Sequence, residues 1–154
     1  MATRQEIVSG LEMTIAEAKR TTSLFDADEW DLKRPVGWTP KEIYSHLGSL
    51  VAMAPAFAET FFKATEDEVL FEDLNIDQIN AASAAAGASK TPQMVMEEFE
   101  TNYRKAIDFV NSFSDGQFEV KRRIGDMPLR SASDIFATSF MLHGLHHVYE
   151  AATP

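Results

Sequence analysis

The sequence predicts an all-α protein, a four-helix bundle with long connections. Three observations carry this: four long stretches have apolar residues recurring every three or four positions, cap residues stand ahead of three of them, and no segment shows a convincing strand pattern. At 154 residues the chain can bury a single core without disulfides, and 1–154 reads as one domain.

The first helix is expected from Arg4 to Phe25, with Ile7, Leu11, Ile15 and Ala18 along one face. The following stretch, "DADEWDLKRPVGW", has no period and contains Pro35 and Gly37, so it reads as a connection. "TPKE" then supplies Thr39 as N-cap, Pro40 in the first turn and Glu42 to close a capping box. Ile43, Leu47, Leu50, Ala54 and Phe57 mark the second helix, with His46 on the same side and Pro55 as a kink or stop. A short Ala-rich helix is expected from Ile76 to Ala86, ending near Gly87. Thr91 and Pro92 open the third long helix, carried by Val95, Phe99, Tyr103, Ala106, Val110 and Phe113. "SDGQFEVKRRIGDMPLR" reads as an irregular or hairpin-like crossing. Ser131 and Asp134 cap a fourth long helix running to about Ala151.

The formal net charge of −10 repels phosphate backbones and anionic lipid, so neither nucleic acid nor membrane is an expected partner. Lys121, Arg122, Arg123 and Arg130 form the one basic cluster, which could hold a small anion, although such a run is more often a solvated loop. With no cysteine there is no thiolate ligand and no protein thiol nucleophile, so any sulfur chemistry needs an external thiol. No signal-like or membrane-length apolar run is present, and the cytoplasm is the expected location.

Chemistry concentrates in "HGLHH". Three of the four histidines, His143, His146 and His147, fall there, and the fourth is His46. On an α-helix, Phe136, Phe140, His143, His147 and Glu150 lie within roughly 80° of one another, whereas His146 sits to one side. An i, i+4 imidazole pair can converge on one ion at about 2.0–2.1 Å, and His46 on a facing helix would complete three neutral donors with a position left open. Taken alone, His46 also reads as a core imidazole bonded to a backbone carbonyl, and the C-terminal three as partly exposed and inert. Three unsatisfied together would cost about 1–3 kcal/mol apiece. Metal affinity should fall as pH drops through about 6, where imidazoles ordinarily take protons.

"GWTPKEIYSHLGSLVAM", followed near the C-terminus by "HGLHH", resembles the DinB-like family of four-helix bundles, which includes the N-terminal-like domain of mycothiol-dependent maleylpyruvate isomerases. The resemblance implies a metal site of His46, His143 and His147. It departs from those isomerases, which have a Glu where this chain has His143, and so stands closer to the general DinB-like proteins.

Such a site implies a divalent transition metal, Zn or Ni foremost, that lowers the pKa of water or of a thiol. The leading expectation is a metal-dependent transferase or isomerase that uses a low-molecular-weight thiol on a small electrophilic substrate. A metal-dependent hydrolase is the alternative enzyme. A non-catalytic metal- or ligand-binding stress-response module and a structural bundle forming a homodimer are the others. His146, Glu150 and Asn80 are the candidate catalytic residues, with Tyr44 and Ser139 as further candidates to orient an imidazole or accept a proton. Trp30 and Trp38 are expected to seal the bundle end.

Overall fold

The computed structural model describes residues 1–65, 68–73 and 75–154. Helix α1 spans Arg4–Thr22, and its start is a capping box absent from the expectations: the Thr3 side chain accepts from the Glu6 N–H while the Glu6 carboxylate accepts from the Thr3 N–H. It stops three residues short of Phe25. Thr21, Thr22 and Ser23 turn their hydroxyls back onto the carbonyls of Glu17, Ala18 and Arg20, a competition that weakens the last turn.

The connection that follows is built rather than loose. Glu29–Asp31 form a single 3₁₀ turn, and its Trp30 lies against Phe25 and Tyr44. Arg34 donates its N–H to the Trp38 carbonyl at 2.8 Å across a tight turn whose Gly37 has φ of 91°, a conformation glycine adopts without strain. That turn delivers Trp38 to the head of the next helix.

Helix α2 spans Pro40–Ala52, with the expected Thr39/Glu42 box in place. Pro55 acts as a stop: the chain breaks at Met53 and restarts as α3, Ala54–Lys63, with the proline in its first turn. Ala54 and Phe57, expected on the second helix, therefore belong to α3. Helix α4 spans Ile76–Ala88, capped by Asn75, and α5 spans Pro92–Asn111, capped by Thr91.

The segment expected to be an irregular or hairpin-like crossing is a small hairpin. After a short α6, Asp115–Glu119, the crossing folds into β2, Lys121–Ile124, antiparallel to β3, Arg130–Ser131. The two residues of β1, Val69–Leu70, add to β2 in parallel. Strands of two to four residues are too short to leave an alternating pattern in the sequence.

The fourth long helix is composite. Ser131 accepts from the Asp134 N–H and starts α7, Ala132–Ile135; a π-helical stretch, Phe136–Leu142, follows, and α8, His143–Ala152, completes it. A π-turn holds about one more residue than an α-turn, so the 100° wheel used above does not carry across 136–142. Within α8 it does.

Helix α2 is the centre of the bundle, packed on α4, α5 and α8, while α1 packs on α5 and α8. Leu11, Leu47, Phe99, Val110 and Phe136 belong to one continuous buried core. Among the described residues, no helix is long and apolar enough to cross a membrane.

Candidate metal centre

His46 sits in the middle of α2, only 2% exposed. Its height is set by α4, which approaches so closely that a Cβ added at Gly87 would lie 2.5 Å from the Lys41 carbonyl oxygen and 2.6 Å from the Ser45 Cβ. That contact lets the Ser45 hydroxyl donate to the Ser83 carbonyl at 3.0 Å and brings the Ser83 hydroxyl to 3.2 Å from His46 Nδ1. Ser83 in turn donates to the Asn80 carbonyl at 2.9 Å. With the serine proton committed there, its oxygen accepts from His46 Nδ1–H, which leaves the Nε2 lone pair free.

The other two imidazoles come from α8. His46 Nε2 lies 3.1 Å from His143 Nε2, and His46, His143 and His147 each offer a ring nitrogen within 4.8 Å of the others. His147 bonds Glu150 Oε2 through Nδ1, so its Nε2 is the nitrogen left for the cluster. The other carboxylate oxygen of Glu150 lies 3.2 Å from His146 Nε2. The His146 side chain is 68% exposed and that of His147 12%, so of the three clustered histidines it is His146 that faces away. Trp38 closes one side, its ring 5.2 Å from that of His46 and stacked at 6.3 Å on His147.

These nitrogens are held neutral. Burial, with the neighbouring His147 and His143 imidazoles adding to it, pushes His46 down to about 4. His143 is also pushed down to about 4, by burial first and then by His147 and His146. Burial lowers His147 too, against the opposing pull of Glu150. Proton competition for a metal is thus displaced well below the pH of about 6 that ordinary imidazoles suggest. In the metal-free protein the unfolded chain takes protons near pH 6.5 while folded His46 and His143 wait until about 4. Stability is full above pH 6.5 and is lost as pH falls toward 4. The thermal midpoint of metal-free protein should drop across that window, and His46→Ala/His143→Ala should flatten the slope; an equally steep fall in the double variant would contradict the assignment.

The donor set fits a transition metal. Two nitrogens bound tetrahedrally at about 2.0–2.1 Å stand about 3.4 Å apart, close to the 3.1 Å between His46 and His143. Nitrogen-only ligation suits Zn or Ni, and the Ser83 and Glu150 contacts are the outer bonds that fix an imidazole's tautomer and direction.

The remaining candidates divide. Asn80 contributes its backbone carbonyl to the Ser83 relay and lines a cavity of about 370 Å³, as does Ser139. The cavity also touches Leu50, one turn beyond His46, and Phe140, just ahead of His143; the histidines themselves are not in its wall. Tyr44 is not at the site. It points the opposite way, fully buried, with its hydroxyl 3.3 Å from Thr21 and its pKa pushed by burial up to about 12. Trp38, expected as a bundle seal, is instead a wall of the histidine cluster, whereas Trp30 does pack in the core. Ser83 was missed: it sits in the Ala-rich stretch whose weak period drew attention only to helix content. The small residues of "NAASAAAG" were the available signal, since they permit the close approach of α4.

Fold and site together define a four-helix bundle that carries an imidazole triad spanning two of its helices, the fold that the resemblance to DinB-like proteins implied. Two solved structures share the fold. YfiT from Bacillus subtilis, described as a probable metal-dependent hydrolase with an unusual four-helix bundle topology, matches 96% of this chain and 83% of its own at 15% identity, TM-score 0.75. A mycothiol-dependent maleylpyruvate isomerase, in a crystal structure with one histidine replaced by alanine, matches 99% of this chain at 13% identity, TM-score 0.73; this chain spans 62% of it. No family model matches the sequence, and no curated protein does.

Proposed function

We propose that the protein is a metal-dependent enzyme in which His46, His143 and His147 hold a divalent transition metal, Zn or Ni, and an external low-molecular-weight thiol attacks a small electrophile in a transfer or isomerisation. The observation that supports it is the convergence of three ring nitrogens within 4.8 Å, two of them oriented from behind by Ser83 and Glu150. A bound ion would supply Lewis acidity and lower the pKa of a thiol or of water. The chain's own part is to keep three imidazoles neutral and aimed, and to provide an apolar space of about 370 Å³ one helical turn away for the electrophile. Glu150 joins half-buried His147 to exposed His146, and its proposed role is to pass a proton toward solvent. Asn80, in the cavity wall, is proposed to orient substrate.

A hydrolase is the second reading, favoured by a three-imidazole set that would leave a coordination position for water and by the fold shared with YfiT. Elemental analysis of untagged protein comes first, followed by a screen of glutathione, mycothiol, bacillithiol and coenzyme A with generic electrophiles. Turnover that requires the metal and His46 with at least one thiol is the expected result. Cleavage of an ester or amide without thiol would replace it with the hydrolase. Metal uptake with neither activity would leave a binding module, and no uptake at all would remove the site.

A further inference from the structure

The cavity beside the triad is apolar on nearly every side. Leu50, Phe57, Phe71, Ile79 and Phe140 supply walls from four different elements, and Phe71 stacks on Phe57 at 5.3 Å between ring centroids. Phe71 holds φ of 57°, a left-handed conformation uncommon outside glycine, and its ring nevertheless stays packed over the cavity.

One cation breaks that surface. Arg130, half-buried on β3, lines the cavity and donates from its guanidinium to the Thr138 hydroxyl at 3.2 Å. Thr138 in turn donates to the Asp134 carbonyl at 2.8 Å, so the contact that aims the arginine is itself anchored on the last helix. No carboxylate lies within ion-pair distance of Arg130 among the described residues. A guanidinium has five N–H donors in a fork shaped for a carboxylate, and the threonine hydroxyl engages one nitrogen. Glu72 and Asp126, both exposed, contribute negative charge to the same cavity.

We infer that this cavity binds a small molecule with an apolar, preferably aromatic, body and a single carboxylate, the carboxylate paired with Arg130 and the body among the phenylalanines. This names the substrate class of the proposed metal enzyme and rests on that reading for its catalytic meaning. The binding itself does not require a metal. The two acidic residues select against a doubly charged ligand such as a phosphate monoester, because each added charge meets repulsion that only one guanidinium opposes.

The test uses metal-free full-length protein and calorimetric titration with 4-phenylbutyrate and its neutral counterpart, 4-phenylbutan-1-ol. The carboxylate should bind about tenfold more tightly than the alcohol, as expected for one partly exposed charge-assisted pair. Arg130→Met should abolish that preference while keeping the alcohol's affinity, which also shows that the variant is folded, and Arg130→Lys should restore part of it. Ile79→Trp, filling the cavity, should eliminate both ligands. Equal affinity of the wild type for acid and alcohol, a preference that survives Arg130→Met, or binding that survives Ile79→Trp would each overturn the inference. Metal uptake measured on the same preparation separates the two proposals: carboxylate binding through Arg130 in a protein that takes up no metal sinks the enzyme reading and leaves this one standing.

Discussion

Replacing His46, His143 or His147 by alanine is expected to weaken metal binding by at least about 100-fold in each case, while His146→Ala keeps the metal. The size follows from the geometry. Removing an outer hydrogen-bonding partner of a metal ligand costs about 10–100-fold, and deleting the ligand itself must cost more. Each of the three offers a nitrogen inside the same 4.8 Å cluster, and none has a substitute nearby, because the next imidazole, His146, points outward with its side chain 68% exposed. His146→Ala should instead lower turnover, if its contact with Glu150 carries a proton, with metal content unchanged. Metal content after dialysis and competition titration with a chelator measure both effects. An empty site in His146→Ala beside a full one in His147→Ala would mean that the i, i+3 pair is the ligand set and that α8 is turned from the register described above.

That prediction could be made from spacing because an i, i+4 pair depends only on local helix geometry. His143 and His147 fall in the regular α8, so their relation survives even though the π-helical stretch at Phe136–Leu142 breaks the wheel that linked them to Phe136 and Phe140. The helix starts at Thr39 and Thr91 were equally legible, since a cap states its position in three or four residues. What spacing could not reach was anything that depends on two segments meeting. The parallel pairing of β1 with β2 joins Val69 to Arg123, residues with no shared local pattern. The Ser83 contact to His46 requires α4 to lie on α2, and Tyr44, two residues from His46, looked close in sequence yet faces the opposite side of the helix. Arg130 was read as part of a basic run with Lys121, Arg122 and Arg123. The fold separates it, placing it against Thr138 and in the cavity wall.

Gly87→Ala is expected to reduce metal affinity by about 10–100-fold without touching any ligand, which makes it the sharpest test that α4 orients the site. A methyl group there would sit 2.5 Å from the Lys41 carbonyl oxygen and 2.6 Å from the Ser45 Cβ, and neither the α2 backbone nor a β-carbon can swing aside. Helix α4 must therefore move outward, and the Ser83 hydroxyl moves with it, away from the 3.2 Å contact that aims His46. Stability is the poorer readout for this variant. Alanine favours a helix over glycine by about 1 kcal/mol, which offsets part of an overpacking cost of about 1–3 kcal/mol, so the thermal midpoint reports two opposing effects at once. Ser83→Ala supplies the control, because it removes the hydroxyl while leaving the helix contact intact and should lose metal affinity in the same range. If Ser83→Ala weakens the site and Gly87→Ala does not, α4 has room to settle and the close approach is not what sets the imidazole. Metal affinity unchanged in both variants would show that His46 is held by α2 and Trp38 alone, and that the serine relay plays no part in binding.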